Sequence, residues 1–159
     1  MRKLLQNQYI SFAFAFFILL FFTNICLAEF TIDDEKKLGK EFYDQLEKNH
    51  FLLKNKQLNN YITRVGNLVL AQSQKAPFDF RFSIVNSSAI NAFATPGVYI
   101  YIHKGLINAV ENEAELAGVI AHEIGHANAR HVASIIEKSQ KLNIATLAAI
   151  IAGAFLGGG

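Results

Sequence analysis

Apolar residues recur every four positions from Leu38 through Phe42 to Leu46, behind Thr31 as a capping residue and an acidic first turn of Asp33, Asp34 and Glu35. The helix dipole favours anions there, so the spacing predicts an amphipathic helix that covers a core. A second stripe of Leu58, Ile62, Val65, Leu68 and Val69 predicts a packing helix from about Lys56 to Ala71. The period then falls to two. Phe78, Phe80, Phe82 and Ile84 alternate with Asp79, Arg81 and Ser83, which predicts a strand with one aromatic face turned inward. Val98, Ile100 and Ile102 alternate with Tyr99, Tyr101 and His103 in the same way. The segment 91–97 between these strands reads as a connection, with Pro96 and Gly97 suited to the central positions of a type II turn. Asn112 then caps a third helix, with Glu115 three residues on and Leu116, Val119 and Ile120 facing a core. Helix, helix, strand, strand, helix is an α+β order.

The two ends depart from this pattern. Of the first 28 residues 20 are apolar, with Arg2 and Lys3 at the start, an uncharged run through Ile10–Phe22 and a small-residue exit at Cys26-Leu27-Ala28. These are the three parts of an export signal, with cleavage expected after Ala28. The alternative is an uncleaved anchor, since no charge falls between Leu4 and Ala28. Residues 142–159 are also uncharged and end in three glycines, which fits a buried helix deprived of partners and an expectation that the sequence is truncated at Gly159. Between the ends the composition is that of one modest globular domain. Lys plus Arg number 15 against 13 Asp plus Glu, and the net charge of +2 leaves with Arg2 and Lys3. No basic surplus remains to suggest nucleic acid. Cys26 is the only cysteine. Once it departs with the leader, a metal site must be built from imidazoles and carboxylates.

The chemistry falls on the third helix, at His122-Glu123-Ile124-Gly125-His126. Residues four apart on a helix share a face, so both imidazoles can converge on one ion at about 2 Å. Glu123 lies about 100° further round, where it can reach a water held by that ion and act as general base in peptide hydrolysis. A third protein ligand is harder to find. Glu115 lies about 10 Å back along the axis, and Glu111, Glu113 and Glu137 are similarly remote. His131, nine residues past His122, suits a capping or outer-sphere role better than ligation. His103 reads as a polar-face residue at a strand end, and His50 as a partner for a helix C-terminus.

Asn91-Ala92-Phe93-Ala94-Thr95-Pro96-Gly97, the strand 99–105, Asn112-Glu113-Ala114-Glu115-Leu116-Ala117, and His122 to His126 followed by Ala129-Arg130-His131 together resemble the HtpX and CAAX-prenyl-protease type of zinc metallopeptidase, family forty-eight. The leader points toward its periplasmic quality-control branch. The resemblance implies a zincin-like (minigluzincin) domain over residues 29–159, with the motif helix packed on a small sheet. It further implies one Zn2+ per chain held by His122 and His126, and Glu123 as catalytic base. Tyr99, Ile100 and Tyr101 would border the cleft and hold an extended peptide by strand addition. The third ligand in that family is a glutamate on a helix well downstream, which this sequence does not reach. The implied function is a metalloendopeptidase of the periplasm or cell envelope acting on protein or peptide substrates, associated with a membrane surface or envelope complex. The alternative is a non-catalytic chaperone or assembly factor that binds extended chains at the edge strand. N-terminal sequencing of the exported protein checks the leader: the first residue should be Glu29, and a chain beginning at Met1 would establish the anchor instead.

Overall fold

The computed structural model describes residues 30–73, 79–139 and 145–149. The expected leader, Phe78 and most of the apolar tail lie outside them. The first helix, α1, runs Ile32–Lys48 and opens with the capping box expected at Thr31. The Asp34 N–H donates to the Thr31 hydroxyl at 3.2 Å and the Thr31 N–H donates back to the Asp34 carboxylate at 3.0 Å. It ends at Asn49, and His50 follows in the left-handed region at φ 59°, the position where a helix stop usually places glycine. Helix α2, Lys56–Gln72, is capped by the Asn55 side chain, which accepts from the Leu58 N–H at 3.0 Å.

Strands β1 (Arg81–Val85), β2 (Ala92–Thr95) and β3 (Tyr99–His103) follow, then helices α3 (Lys104–Ala109), α4 (Glu113–Asn128) and α5 (His131–Ser139). Strand β2 and helices α3 and α5 had no counterpart in the predicted order. The four residues of β2 pair antiparallel with β3, joined by a tight turn at 96–98. Gly97 has φ 73°, as the third residue of a type II turn requires, and Val98 is also left-handed at φ 61°. Strand β1 pairs parallel with the other side of β3, so the sheet order is β1-β3-β2.

The sheet lies between two helical layers. On one face Phe82, Ile84, Ala94, Ile100 and Ile102 meet Ile62 and Val65 of α2 and Leu116, Ile120 and Ile124 of α4. On the other, Val85, Tyr99 and Tyr101 meet Leu38 and Phe42 of α1, Ala133 and Ile136 of α5, and Leu147. Every residue of β3 is therefore buried, and the expected polar face of Tyr99, Tyr101 and His103 does not exist. Alternation marks a strand wet on one side; a strand covered on both sides buries both sets of side chains. Each fully buried isoleucine in this arrangement contributes about 1.5–3 kcal/mol. Among the described residues no helix is long and apolar enough to cross a membrane.

Helix α1 approaches the β2–β3 turn so closely that a Cβ on Gly39 would lie 2.0 Å from the Pro96 carbonyl oxygen. Gly39→Ala should lower stability by about 1–3 kcal/mol in urea unfolding. Gly118→Ala, whose new methyl meets nothing within 4 Å, should be neutral or stabilising.

Candidate active site

Helix α4 carries the His-Glu-x-x-His motif and is anchored at both ends. At its start the Asn112 side chain accepts from the N–H groups of Ala114 and Glu115, each at 3.0 Å. Along its length Leu116, Ile120 and Ile124 are buried against the sheet, which turns the opposite face, with His122 and Gly125, outward. On that helix the Nε2 atoms of His122 and His126 stand 2.9 Å apart, with ring planes at 82°. Two imidazoles on one tetrahedral zinc would place their nitrogens about 3.3 Å apart. The pair stands at nearly that separation, so the two donors fit a shared ion.

Glu123 lies on the adjoining face of α4, turned toward β2. Burial pushes its carboxyl up from the ordinary glutamate range, while His126, His122 and a hydrogen bond with the Ala94 backbone pull it down. That hydrogen bond follows from the register of β2. His103 donates to the Asn91 carbonyl at 2.9 Å, so in the antiparallel ladder Asn91, Phe93 and Thr95 bond to β3, while Ala92 and Ala94 turn their backbone groups outward. The outer side of β1 is covered by the segment 51–53, through Leu53 donating to Ile84 at 2.8 Å and Asn86 donating to Phe51 at 2.8 Å. Among the described residues, the edge without a paired strand is that of β2, and it faces Glu123.

Tyr99, Ile100 and Tyr101 do not supply that edge. They sit in the middle strand, their backbone bonded on both sides, at 6%, 0% and 0% exposure. Burial pushes the Tyr101 phenol well up, so it stays protonated. Strand addition expected at Tyr99–Tyr101 therefore has no free edge there, and among the described residues the edge left unpaired is that of β2. Its short Ala-Phe-Ala-Thr pattern resembled a loop, because small residues carry little apolar periodicity. His103 is buried too, edge-on to Phe93 at 5.9 Å, and burial lowers its imidazole pKa.

Two of the other carboxylates weighed as ligands, Glu115 and Glu113, are engaged elsewhere. Glu115 accepts from the Glu111 N–H at 2.9 Å and from the Asn112 amide at 3.2 Å, and Glu113 pairs with Arg64 at 2.7 Å. Among the described residues no group of three His, Cys, Asp or Glu is placed to hold a metal ion. His131 enters from an unexpected direction. Helix α4 stops at Asn128, Arg130 adopts φ 52°, and His131 opens α5 with its Nδ1 2.7 Å from Nδ1 of His126. It thus touches the nitrogen of His126 that faces away from His122, as an outer-sphere partner would.

Arg130 also forms a contact that local pattern did not reveal. Its Nε donates to Glu35 at 2.6 Å, a second guanidinium nitrogen meets the same carboxylate, and that nitrogen reaches the Phe30 carbonyl at 3.3 Å. Glu35 is only 4% exposed. Burial raises its carboxyl pKa and Arg130 draws it back down. A signal did exist: Glu35 falls on the same stripe of α1 as Leu38, Phe42 and Leu46, where a carboxylate needs a cation.

Comparison with known proteins places the sequence in a family. The profile of peptidase family M48 matches residues 53–157. The beta-barrel assembly-enhancing protease of Yersinia pestis is 36% identical over 115 residues, covering 72% of this chain and 24% of that protein. The protein of the same name from Escherichia coli (strain K12) is 32% identical over 111 residues, 70% of this chain and 23% of its own. The mitochondrial metalloendopeptidase OMA1 of Arabidopsis thaliana is 48% identical over 56 residues, 35% of this chain and 12% of that protein. This chain spans about a quarter of the length of the assembly-enhancing proteases it matches. The matched span contains the motif helix, the outward edge of β2 and the turn at Arg130, and on that evidence the chain belongs to peptidase family M48.

Proposed function

We propose that this chain carries the base and two metal ligands of an exported zinc metalloendopeptidase that acts on protein chains in the cell envelope, in the context of β-barrel assembly. The observation that carries the reading is the convergence of the His122 and His126 Nε2 atoms at 2.9 Å beside a carboxylate that faces an open strand edge. Relatives named as proteases and metalloendopeptidases support it.

His122 and His126 would hold the zinc through their Nε2 lone pairs, and the ion would supply Lewis-acid activation at the scissile carbonyl. Glu123 takes the proton from the attacking water and hands it to the departing amine nitrogen. Its partial burial suits both halves of that exchange, because a carboxyl raised from its ordinary range holds the proton long enough to return it. The outward N–H and C=O groups of Ala92 and Ala94 align an extended peptide past the carboxylate. The same edge would serve a chaperone that binds chains without cutting them, and the state of Glu123 separates the two readings.

In the full-length protein, Glu123→Gln should lower kcat/KM for peptide cleavage by about 10²–10⁴-fold while zinc stays bound at one per chain. Retained cleavage, or envelope function that survives the substitution undiminished, would sink the hydrolytic mechanism. His122→Ala should lose the metal. A peptide N-methylated at the backbone nitrogens that pair with β2 should show KM raised about tenfold with kcat little changed, each lost hydrogen bond contributing about 1 kcal/mol. An unchanged KM would remove β2 from substrate binding.

A further inference from the structure

The Glu35–Arg130 ion pair joins residues 95 apart in the chain and lies beside the candidate metal ligands. It begins on α1, upstream of residues 53–157 that the family profile matches, and ends on the turn between α4 and α5. That turn is unusual. Helix α4 stops at Asn128 with no glycine to take the left-handed position, and Arg130 occupies it at φ 52°. A non-glycine residue takes such a conformation at a cost that its surroundings can offset. Here they do: the guanidinium is gripped twice by the Glu35 carboxylate and once by the Phe30 carbonyl.

The consequence falls on the next residue. Had α4 continued as a helix, His131 would lie about 140° round the axis from His126, out of reach of its ring. With the chain turned at Arg130, the His131 Nδ1 comes to 2.7 Å from the His126 Nδ1, with the ring centroids 4.9 Å apart. A histidine that binds metal through Nε2 carries its proton on Nδ1 and needs an acceptor there. Glu35, Thr95, His126, Arg130 and His131 line one small pocket beneath the pair, so the contacts belong to a single continuous unit.

We propose that Glu35 and Arg130 are positioning residues for the metal site: their ion pair holds the turn that sets His131 against His126 and thereby fixes the tautomer and aim of the His126 Nε2. This rests on the reading of His122 and His126 as zinc ligands. It adds that the orientation of one ligand is controlled from α1, a helix upstream of the residues that the family profile matches.

The test uses the full-length protein and Glu35→Gln, Arg130→Ala, His131→Ala and His126→Ala variants. Zinc affinity is measured by chelator competition and referred to the folded fraction from thermal unfolding. In the metal-free proteins the imidazole nitrogen shifts of His126 report its tautomer. Wild type should show one His126 tautomer with the proton on Nδ1. Glu35→Gln, Arg130→Ala and His131→Ala should each weaken zinc by about tenfold or more and give mixed tautomers. The exchange Glu35→Arg with Arg130→Glu should recover most of the affinity; if that double variant does not fold, Glu35→Gln alone decides. Wild-type affinity and a single tautomer in Glu35→Gln and Arg130→Ala, even with a lowered melting temperature, would reduce the pair to a structural tie and overturn the proposal. Failure of wild type to bind zinc, or undiminished binding by His126→Ala, would instead overturn the zinc reading, while the tautomer signature would still report on the ion pair.

Discussion

Both edges and both faces of β3 are occupied, and the placement of the other elements follows from that burial. Its backbone bonds to β1 on one side and β2 on the other, Ile100 and Ile102 pack under α2 and α4, and Tyr99 and Tyr101 pack under α1 and α5. A five-residue strand with no wet surface needs a layer on each face, because the apolar area it removes from water is the dominant favourable contribution to so small a core. With β1 sheltered by the segment 51–53, only β2 is left to present an unpaired edge among the described residues.

That edge and the motif helix meet at Glu123. Helix α4 lies against the sheet through Leu116, Ile120 and Ile124, and this rotation directs His122 and His126 away from the core and Glu123 toward Ala94. Packing thus decides which of the three motif residues faces the strand that would align a peptide. Among the described residues no group of three His, Cys, Asp or Glu is placed to hold an ion, and Glu115 is committed to the helix cap and Glu113 to Arg64. On the far side of His126, the turn at Arg130 and the buried Glu35 extend the site into α1.

Much of this was legible beforehand. The caps at Thr31 and Asn112, the stripes of α1 and α2 and the alternation at Phe82 and Ile84 are statements about neighbours two to four residues away, and the folded chain honours them except at Leu68, which the α2 stripe placed inward and the structure leaves exposed. The spacing of His122, Glu123 and His126 carried the candidate site for the same reason, since a helix turns positions i and i+4 into one face whatever surrounds it. Where local pattern misled, a neighbour distant in sequence had changed the environment. The polar reading of Tyr99, Tyr101 and His103 failed because α1 and α5 cover that face. The small residues of β2 hid a strand, since its pairing with β3 needs no apolar stripe of its own.

By itself the sequence determined most of the elements and the chemistry each one offers: helices with their caps, a spacing suited to a metal ion and a carboxylate beside it. Only the tertiary structure decided that β3 is the central strand and β2 the edge, that a left-handed Arg130 brings His131 to His126, and that a glutamate 95 residues upstream holds that arginine. The division follows from range. Periodicity records contacts made within one turn of a helix or one step of a strand, whereas strand order and a buried ion pair exist only after segments far apart in the chain have closed on a common core.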